Sequence, residues 1–226
     1  FGQLQNQAYG YLWPMGPFFW VGAAAGLPAW VIQRLWLGLV LGVAFAGAAK
    51  VTRALGVRSD FACLLAGAAY ALSPRMVTTG GPISIEAWPS SLAPWVLLAL
   101  VHGSRQGSPR RAAALAALGI ALVGGVNAVA TFAVIPLGAV WLLTRSPGPR
   151  RRSLLLWWPV FTALMTAWWL VPLLLMGRYS PPFLDFIESS SVTTFPTTVF
   201  DTLRGTSDWV PYVDSAWRAG HTLITT

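Results

Sequence analysis

Charged residues are scarce in this chain: only 10% of its 226 residues are Asp, Glu, Lys or Arg. Soluble globular domains carry about 25%, whereas 55% of this chain is hydrophobic, with thirteen Trp and eleven Phe. The composition therefore excludes an ordinary soluble domain and indicates a polytopic membrane protein. The net charge of +8 comes from short arginine runs between apolar segments. That placement is typical of membrane topology rather than of nucleic-acid binding, so no nucleic-acid partner is expected.

Cysteine and familiar catalytic motifs are also lacking. Cys63 stands alone, which excludes an intramolecular disulfide and a cysteine-based metal site within this sequence. The Walker, GxGxxG, HExxH and GxSxG patterns do not occur in it either. His102 and His221 have no second ligand at metal spacing, which favours structural roles for both. Any chemistry therefore rests on arginine, carboxylate, amide and aromatic side chains.

Apolar runs separated by basic loops predict about six membrane spans over residues 28–177. The first is expected to start near Pro28, because a span needs about 20 residues. Residues 61–72 and 92–101 are both short runs, so either both cross the membrane or neither does; we favour both crossing. This pattern predicts an all-α fold with a helical transmembrane core.

The uncharged stretch from Ala112 to Thr144 is too long for a single span. As one helix it would extend about 50 Å, beyond a hydrocarbon core of about 30 Å. Residues 124–127, Gly-Gly-Val-Asn, are therefore expected to form the turn of a tight helical hairpin. Residues 153–177 then form the last span.

The basic residues predict which side of the membrane each loop occupies. Cytoplasmic loops carry an excess of Lys and Arg, and residues 50–58, 105–111 and 145–152 hold ten of the fifteen basic residues. We expect these three loops to be cytoplasmic and the remaining loops to be extracytoplasmic, in the plasma membrane. Of the seven acids, only Asp60 then lies on the cytoplasmic side.

Residues 1–27 and 178–226 flank the predicted core and are both expected outside the cytoplasm. The opening amides and aromatic rings suit the membrane–water boundary, where a ring is half buried and its polar end stays wet. We expect residues 1–27 to be part of a loop that includes an interfacial helix. Residues 178–226 are expected to form a further extracytoplasmic loop, or the start of a periplasmic region.

The tail of the chain interleaves acids with aromatic residues, including Asp208 and Trp209. Carboxylates accept hydrogen bonds from sugar hydroxyls and flat rings stack on sugars, although any membrane-surface loop would show the same mixture. Asp185 and Glu188 are three residues apart, so in a helix they would share one face and could hold a divalent cation. Two acids make an incomplete shell, so a solvated face is the simpler interpretation, and no metal site is assigned.

Arg75 follows a short apolar run and precedes the polar, glycine-rich stretch from Thr78 to Glu86. A guanidinium at headgroup depth could bind a phosphate bidentately. An Arg that anchors the chain to lipid phosphates would look the same. The stretch from Thr78 to Glu86 is expected to be a loop.

Three stretches of the chain resemble one known family. They are FGQLQNQAYGYLWPMGPFF at the start, LSPRMVTTGGPISIEAWPSSLAPWVLL over residues 72–98, and LRGTSDWVPY over residues 203–212. Together they resemble the large alpha-(1→3)-arabinofuranosyltransferases of actinobacterial cell-wall arabinan synthesis, and the resemblance covers essentially the whole chain. It implies a GT-C glycosyltransferase fold with an extracytoplasmic active site. It also implies a polyprenyl-phosphate arabinofuranose donor and a growing arabinan acceptor.

The resemblance also implies where site residues lie. GT-C enzymes carry a catalytic acid early in their first extracytoplasmic loop, and no acid precedes Asp60 here. We therefore expect the catalytic base upstream of Phe1 and expect the chain to be a fragment. Beside the resemblance, our own hypothesis is that Arg75 stabilises the departing phosphate and that Glu86 and Asp208, the candidate catalytic acids within the chain, orient sugar hydroxyls. The expected sugar-binding residues are Gln5, Asn6, Tyr9 and Trp209.

Two other classes of protein fit parts of the pattern. A transporter would place ionisable groups near the bilayer midplane, facing a cavity, whereas the carboxylates here collect in loops. A non-catalytic membrane scaffold would use its basic cytoplasmic loops to bind membrane lipids or an acidic soluble partner.

Overall fold

The computed structural model describes residues 12–81, 84–125 and 128–179, and α-helix dominates these ranges, which contain no strand. The all-α fold predicted from the sequence is confirmed. In chain order the helices are α1 (Met15–Ala24), α2 (Ala29–Ala54), α3 (Asp60–Ala71), α4 (Pro74–Gly80), α5 (Ser84–Arg105), α6 (Pro109–Ala121), α7 (Ala128–Ala133), α8 (Ile135–Leu143) and α9 (Pro149–Tyr179).

Among the described residues, α2, α5 and the Pro149–Leu175 part of α9 are long and apolar enough to cross a membrane. Helices α3 and α4 meet at a bend of 44° and reach that length only as a pair. With 10 residues, α1 extends about 15 Å, too short to span a hydrocarbon core alone. Helix α6 and the pair α7–α8 occupy the remaining predicted spans but are shorter, so the count of six stays a prediction.

The start of α2 and the turn after α6 lie where the sequence predicts them. Helix α2 begins directly after Pro28. Proline is tolerated at the start of a helix, because a backbone N–H there would have no partner within the helix. Helix α6 ends at Ala121 and α7 begins at Ala128, so Gly124 and Gly125 lie in the turn between them.

The prediction of a loop from Thr78 to Glu86 is wrong for most of that stretch. Helix α4 runs to Gly80 and α5 already begins at Ser84, so the apolar run 92–101 is the second half of a 22-residue helix. The prolines of this region do not end either helix. Pro74 occupies the first turn of α4, where a missing N–H costs nothing, and α5 contains two further prolines in its interior.

A tyrosine from α3 compensates for one of the prolines inside α5. A proline at position 94 has no N–H to donate to the carbonyl four residues earlier, that of Ser90. The Tyr70 hydroxyl donates to this carbonyl oxygen at 2.7 Å. The backbone acceptor that Pro94 leaves open is thereby paired, as a lipid-embedded helix requires.

Helix α5 lies at the centre of the packing, with α2 and α6 on it, and α9 packs mainly on α6. Small residues on α6 permit this close approach. Ala113, Ala116 and Ala117 are fully buried, and a Cβ at Gly119 would lie 2.9 Å from Val96 Cγ2 of α5. The core of the bundle thus sits along the α2–α5–α6 contacts.

One end of the bundle collects the basic loops, and we call it the basic end: the C-termini of α2, α5 and α8 with the N-termini of α3, α6 and α9. The Arg105 guanidinium donates to the Ala54 carbonyl and lies 5.6 Å from the ring centroid of Trp141. Arg150 donates to the Gly107 carbonyl at 2.6 Å. These contacts place the three basic loops together, as the charge pattern predicts. The end that carries α4 and the start of α5 is called the opposite end.

Candidate functional site

Polar side chains gather at the opposite end on α4 and on the first turn of α5. Arg75, the second residue of α4, is exposed, whereas Thr78 and Ser84 are buried. The Thr78 hydroxyl donates to the Pro74 carbonyl at 2.7 Å within α4, which satisfies a buried polar group locally. Glu86 is half-buried in the first turn of α5, where the helix dipole favours a negative charge.

Packing between α4 and α5 brings the predicted residues Arg75 and Glu86 to the same end of the bundle. A Cβ added at Gly80 would lie 4.0 Å from Ala87 Cβ, so the last residue of α4 lies beside the first turn of α5. An exposed guanidinium and a half-buried carboxylate on adjacent helices can bind a phosphate and sugar hydroxyls, respectively. The described ranges contain no group of three or more His, Cys, Asp or Glu side chains that could hold a metal ion.

A buried aromatic cluster supports this polar end. The Trp36 indole N–H donates to the Ser84 hydroxyl at 3.2 Å, and the Trp36 and Trp88 ring centroids lie 5.1 Å apart. Phe18 of α1 lies 5.3 Å from Trp36, and the Trp88 indole donates to the Leu122 carbonyl at 2.7 Å. Both indoles are buried, so they hold α1, α2, α5 and the end of α6 together rather than stacking on a sugar.

Sequence reasoning did not find this cluster. Trp36 and Ser84 are 48 residues apart, and neither stands in a motif. Only the apolar run around Trp36 and the polar stretch around Ser84 were visible, and nothing in the sequence relates the two. The excess of tryptophan is the one available signal, and it indicates a membrane protein without pointing to a cluster.

Two other segments pack against the glycine turn after α6, at the opposite end of the bundle. Gly124 has φ of 84°, a left-handed conformation that favours glycine, and a Cβ there would overlap the Trp13 carbonyl oxygen. A Cβ at Gly125 would lie 2.7 Å from Cγ of Trp169 in α9. The segment before α1, the turn and α9 therefore meet through glycine backbone.

The other predicted site residues lie outside the described residues. They are Gln5, Asn6 and Tyr9 in the opening stretch and Asp208 and Trp209 in the tail. Asp185 and Glu188, the pair considered for a cation, lie outside as well. Of the predicted set, the structure thus places Arg75 and Glu86.

Span-length apolar helices in an all-helical bundle define a multi-pass membrane protein. A family model described as "Alpha-(1->3)-arabinofuranosyltransferase, N-terminal GT-C domain" matches residues 1–226. The chain belongs to this family, and the resemblance seen in the sequence is confirmed.

Curated relatives and solved structures agree with the family. The chain is 49% identical to an alpha-(1->3)-arabinofuranosyltransferase of Mycolicibacterium smegmatis over 226 residues, all of this chain and 16% of that protein. It is 46% identical over 228 residues to the protein of the same name from Mycobacterium tuberculosis, again covering all of this chain and 16% of the relative.

Among solved structures, a cryo-EM structure of arabinofuranosyltransferase AftD from Mycobacteria matches with a TM-score of 0.81 and 47% identity, over 93% of this chain and 16% of that one. A mutant of that enzyme matches with a TM-score of 0.77 and 49% identity, over 85% of this chain and 15% of the other. The chain thus spans about a sixth of the length of the proteins it matches.

Proposed function

We propose that this chain forms part of a membrane glycosyltransferase that transfers arabinofuranose from a polyprenyl-phosphate donor to cell-wall arabinan. Family membership supports the transfer reaction. The observation that carries the site is that Arg75 and Glu86 lie on two helices that pack at the same end of the bundle, away from the basic loops. Since basic loops favour the cytoplasm, this end faces the extracytoplasmic side of the plasma membrane in our proposal.

The proposed mechanism uses no nucleotide. A carboxylate accepts the proton of an acceptor hydroxyl as its oxygen attacks the anomeric carbon of the donor, and the lipid phosphate leaves with the electrons of the broken bond. The Arg75 guanidinium stabilises the charge that develops on the departing phosphate. Glu86 and Asp208 orient sugar hydroxyls, Gln5, Asn6 and Tyr9 bind them, and Trp209 stacks on a ring. The catalytic base is assigned to none of the described residues.

The distribution of acids supports surface chemistry over transport. In the described ranges the acidic residues are Asp60 and Glu86, and each lies in the first turn of its helix. A transporter would place such groups near the bilayer midplane. Neither α3 nor α5 carries an acid further along its length, and α2 and α9 carry none.

Replacing Arg75 tests the proposal in the full-length gene product. Arg75→Ala removes the cation that would stabilise the leaving phosphate, and loss of one such group lowers turnover by about 100-fold or more in other enzymes. We expect kcat for transfer from a synthetic polyprenyl-phosphate arabinofuranose to fall at least about tenfold in isolated membranes. Arg75→Lys should restore only part of it, because an ammonium cannot bind phosphate through a planar fork.

Arg178→Ala is the matched control, because Arg178 is an exposed arginine near the end of α9 and is assigned to the same side of the membrane. It should leave transfer unchanged, and all three variants should reach the membrane at equal levels. Wild-type turnover in Arg75→Ala, at equal membrane levels, would remove Arg75 from the site.

A further inference from the structure

The seam between α5 and α6 opens into a groove of about 730 Å³, within the size range of small-molecule sites. It begins near Trp88 and Leu122 and reaches the basic end at Gln106 and Ser108. Neither Arg75 nor Glu86 lines the groove.

The polarity of the groove changes along its length. Its wall on α6 is apolar and partly exposed, with Leu115 at 51% and Leu118 at 45% relative exposure. Its mouth at the basic end is polar and includes His102, Ser108 and Arg111. From Arg111 to Leu122 the helix rises about 17 Å, slightly more than half of a hydrocarbon core about 30 Å thick. The groove thus matches the depth of one membrane leaflet.

Arg111 differs from the arginines around it. Arg105 and Arg150 donate to backbone carbonyls, and the Arg110 guanidinium lies 4.2 Å from the ring centroid of Trp157. Within the part of the chain that the structure describes, the Arg111 guanidinium has no hydrogen-bond, ion-pair or ring partner, and Arg111 is exposed at the mouth of the groove. A positive charge is therefore available where the apolar channel meets the membrane surface.

We propose that this groove binds one anionic phospholipid, with its phosphate at Arg111 and an acyl chain along the α5–α6 seam. The charge and the apolar wall complement the two parts of such a lipid, and a planar guanidinium matches phosphate geometry bidentately. The bound lipid joins α5 to α6 in the leaflet of the basic end. It stabilises the folded bundle by an amount that rises with the logarithm of its concentration relative to its Kd. This inference does not depend on the transfer reaction.

Native mass spectrometry of the full-length protein tests the headgroup contact. The protein is exchanged into mixed micelles with equal amounts of phosphatidylglycerol and phosphatidylcholine of identical chains. We expect the wild type to retain one phosphatidylglycerol, and Arg111→Gln to retain it about tenfold less. Arg152→Gln is the matched control: Arg152 is an exposed arginine at the same end that does not line the groove. It should bind like the wild type.

A second pair of variants tests the acyl-chain channel. Leu115→Trp fills the apolar part of the groove from its exposed wall. Leu137→Trp makes the same substitution in α8, outside the groove, at a leucine with the same 51% exposure. Leu115→Trp should abolish the rise in unfolding temperature that phosphatidylglycerol causes, whereas Leu137→Trp should preserve it. Because both leucines are exposed, both variants should fold.

Several results would overturn the proposal. Equal retention of phosphatidylglycerol by Arg111→Gln and Arg152→Gln would show that Arg111 is not the headgroup contact. Equal retention of phosphatidylcholine by the wild type would show that charge plays no part. If inorganic phosphate alone raised the unfolding temperature to the same extent, the channel would be irrelevant. If a polyprenyl phosphate displaced phosphatidylglycerol at equal concentration, the groove would belong to a different lipid class.

Discussion

Two hydrogen bonds from a tryptophan indole to a serine hydroxyl have the same length and lie at opposite ends of the bundle. Trp36 donates to Ser84 at 3.2 Å at the opposite end, and Trp141 donates to Ser104 at 3.2 Å at the basic end. The pairs differ in burial, since Trp36 is 1% exposed whereas Trp141 and Ser104 are half-buried. Water can replace a lost partner only at the basic end, so the two bonds have unequal effects on stability.

Removing each hydroxyl should therefore give different results. Ser84→Ala leaves the buried Trp36 N–H without an acceptor, which we expect to lower the free energy of unfolding by about 1–3 kcal/mol. Ser104→Ala should lower it by less than about 1 kcal/mol, because water reaches the indole. Denaturant titration in detergent micelles measures both values. Equal losses would show that burial of the Trp36 pair is not what matters.

The Tyr70 hydroxyl should matter only while residue 94 is a proline. Tyr70→Phe leaves the Ser90 carbonyl unpaired, and we expect a loss of about 1–3 kcal/mol. In a Pro94→Ala background, the N–H of residue 94 can donate to that carbonyl within the helix, so the same change should cost clearly less. The double-mutant cycle measures the difference. Additive effects of the two substitutions would contradict the proposed compensation.

Individual helices show where sequence reasoning succeeds and where it stops. The start of α2 after Pro28 and the glycine turn after α6 follow from local rules of proline and glycine chemistry. Helices α4 and α5 do not, because glycine, threonine and proline between Thr78 and Glu86 favour a loop when considered locally. Contacts from α3 and α2, such as those made by Tyr70 and Trp36, stabilise helix there instead. Local sequence contains no record of such distant partners.

The glycine turn gives an element-level prediction. Gly124→Ala combines a left-handed φ with overlap of the Trp13 carbonyl, and Gly125→Val places a Cβ and two methyl groups against Trp169. We expect each to lower the unfolding temperature markedly, with a loss of about 2 kcal/mol or more. Gly42→Ala is the control, since Gly42 lies within α2 with open space around it. It should leave stability unchanged or slightly higher. Wild-type stability in Gly124→Ala would mean that the turn is not tightly packed.

At the scale of the whole molecule, the grouping of the basic loops makes the topology testable. In a cysteine-free version of the full-length protein that includes Cys63→Ala, single cysteines are introduced at Val57, Gly81 and Gln106, all exposed positions. We expect a membrane-impermeant maleimide to label residue 81 in intact cells and to reach residues 57 and 106 only after permeabilisation. Labelling of residue 106 from outside would reverse the orientation. If the maleimide reached only one of residues 57 and 106 in intact cells, α3 and α4 would not cross the membrane.

The candidate site was predictable only in part from the sequence. Arg75 and Glu86 stand out as candidates because charged groups are rare and lie at the margins of apolar runs. The supporting shell of Trp36, Ser84 and Trp88 is not predictable in this way, since Trp36 reaches the other two only when α2 packs on α5. The positions of the charged residues thus predict what lies at the two ends of the helical bundle, whereas the shape of the site depends on helix packing.

The hydrogen bond from Tyr70 to the Ser90 carbonyl also bears on how the chain enters the membrane. During synthesis α3 emerges before α5, so the donor is already present when the proline-containing helix arrives with an unpaired carbonyl that hydrocarbon cannot satisfy. Insertion of α5 should therefore be more efficient behind α3 than behind a Tyr70→Phe version, as a glycosylation reporter placed after α5 would measure. Because α3 precedes α5 in the sequence, the proline-containing span would then insert into the bilayer with a hydrogen-bond donor for its unpaired carbonyl already in place.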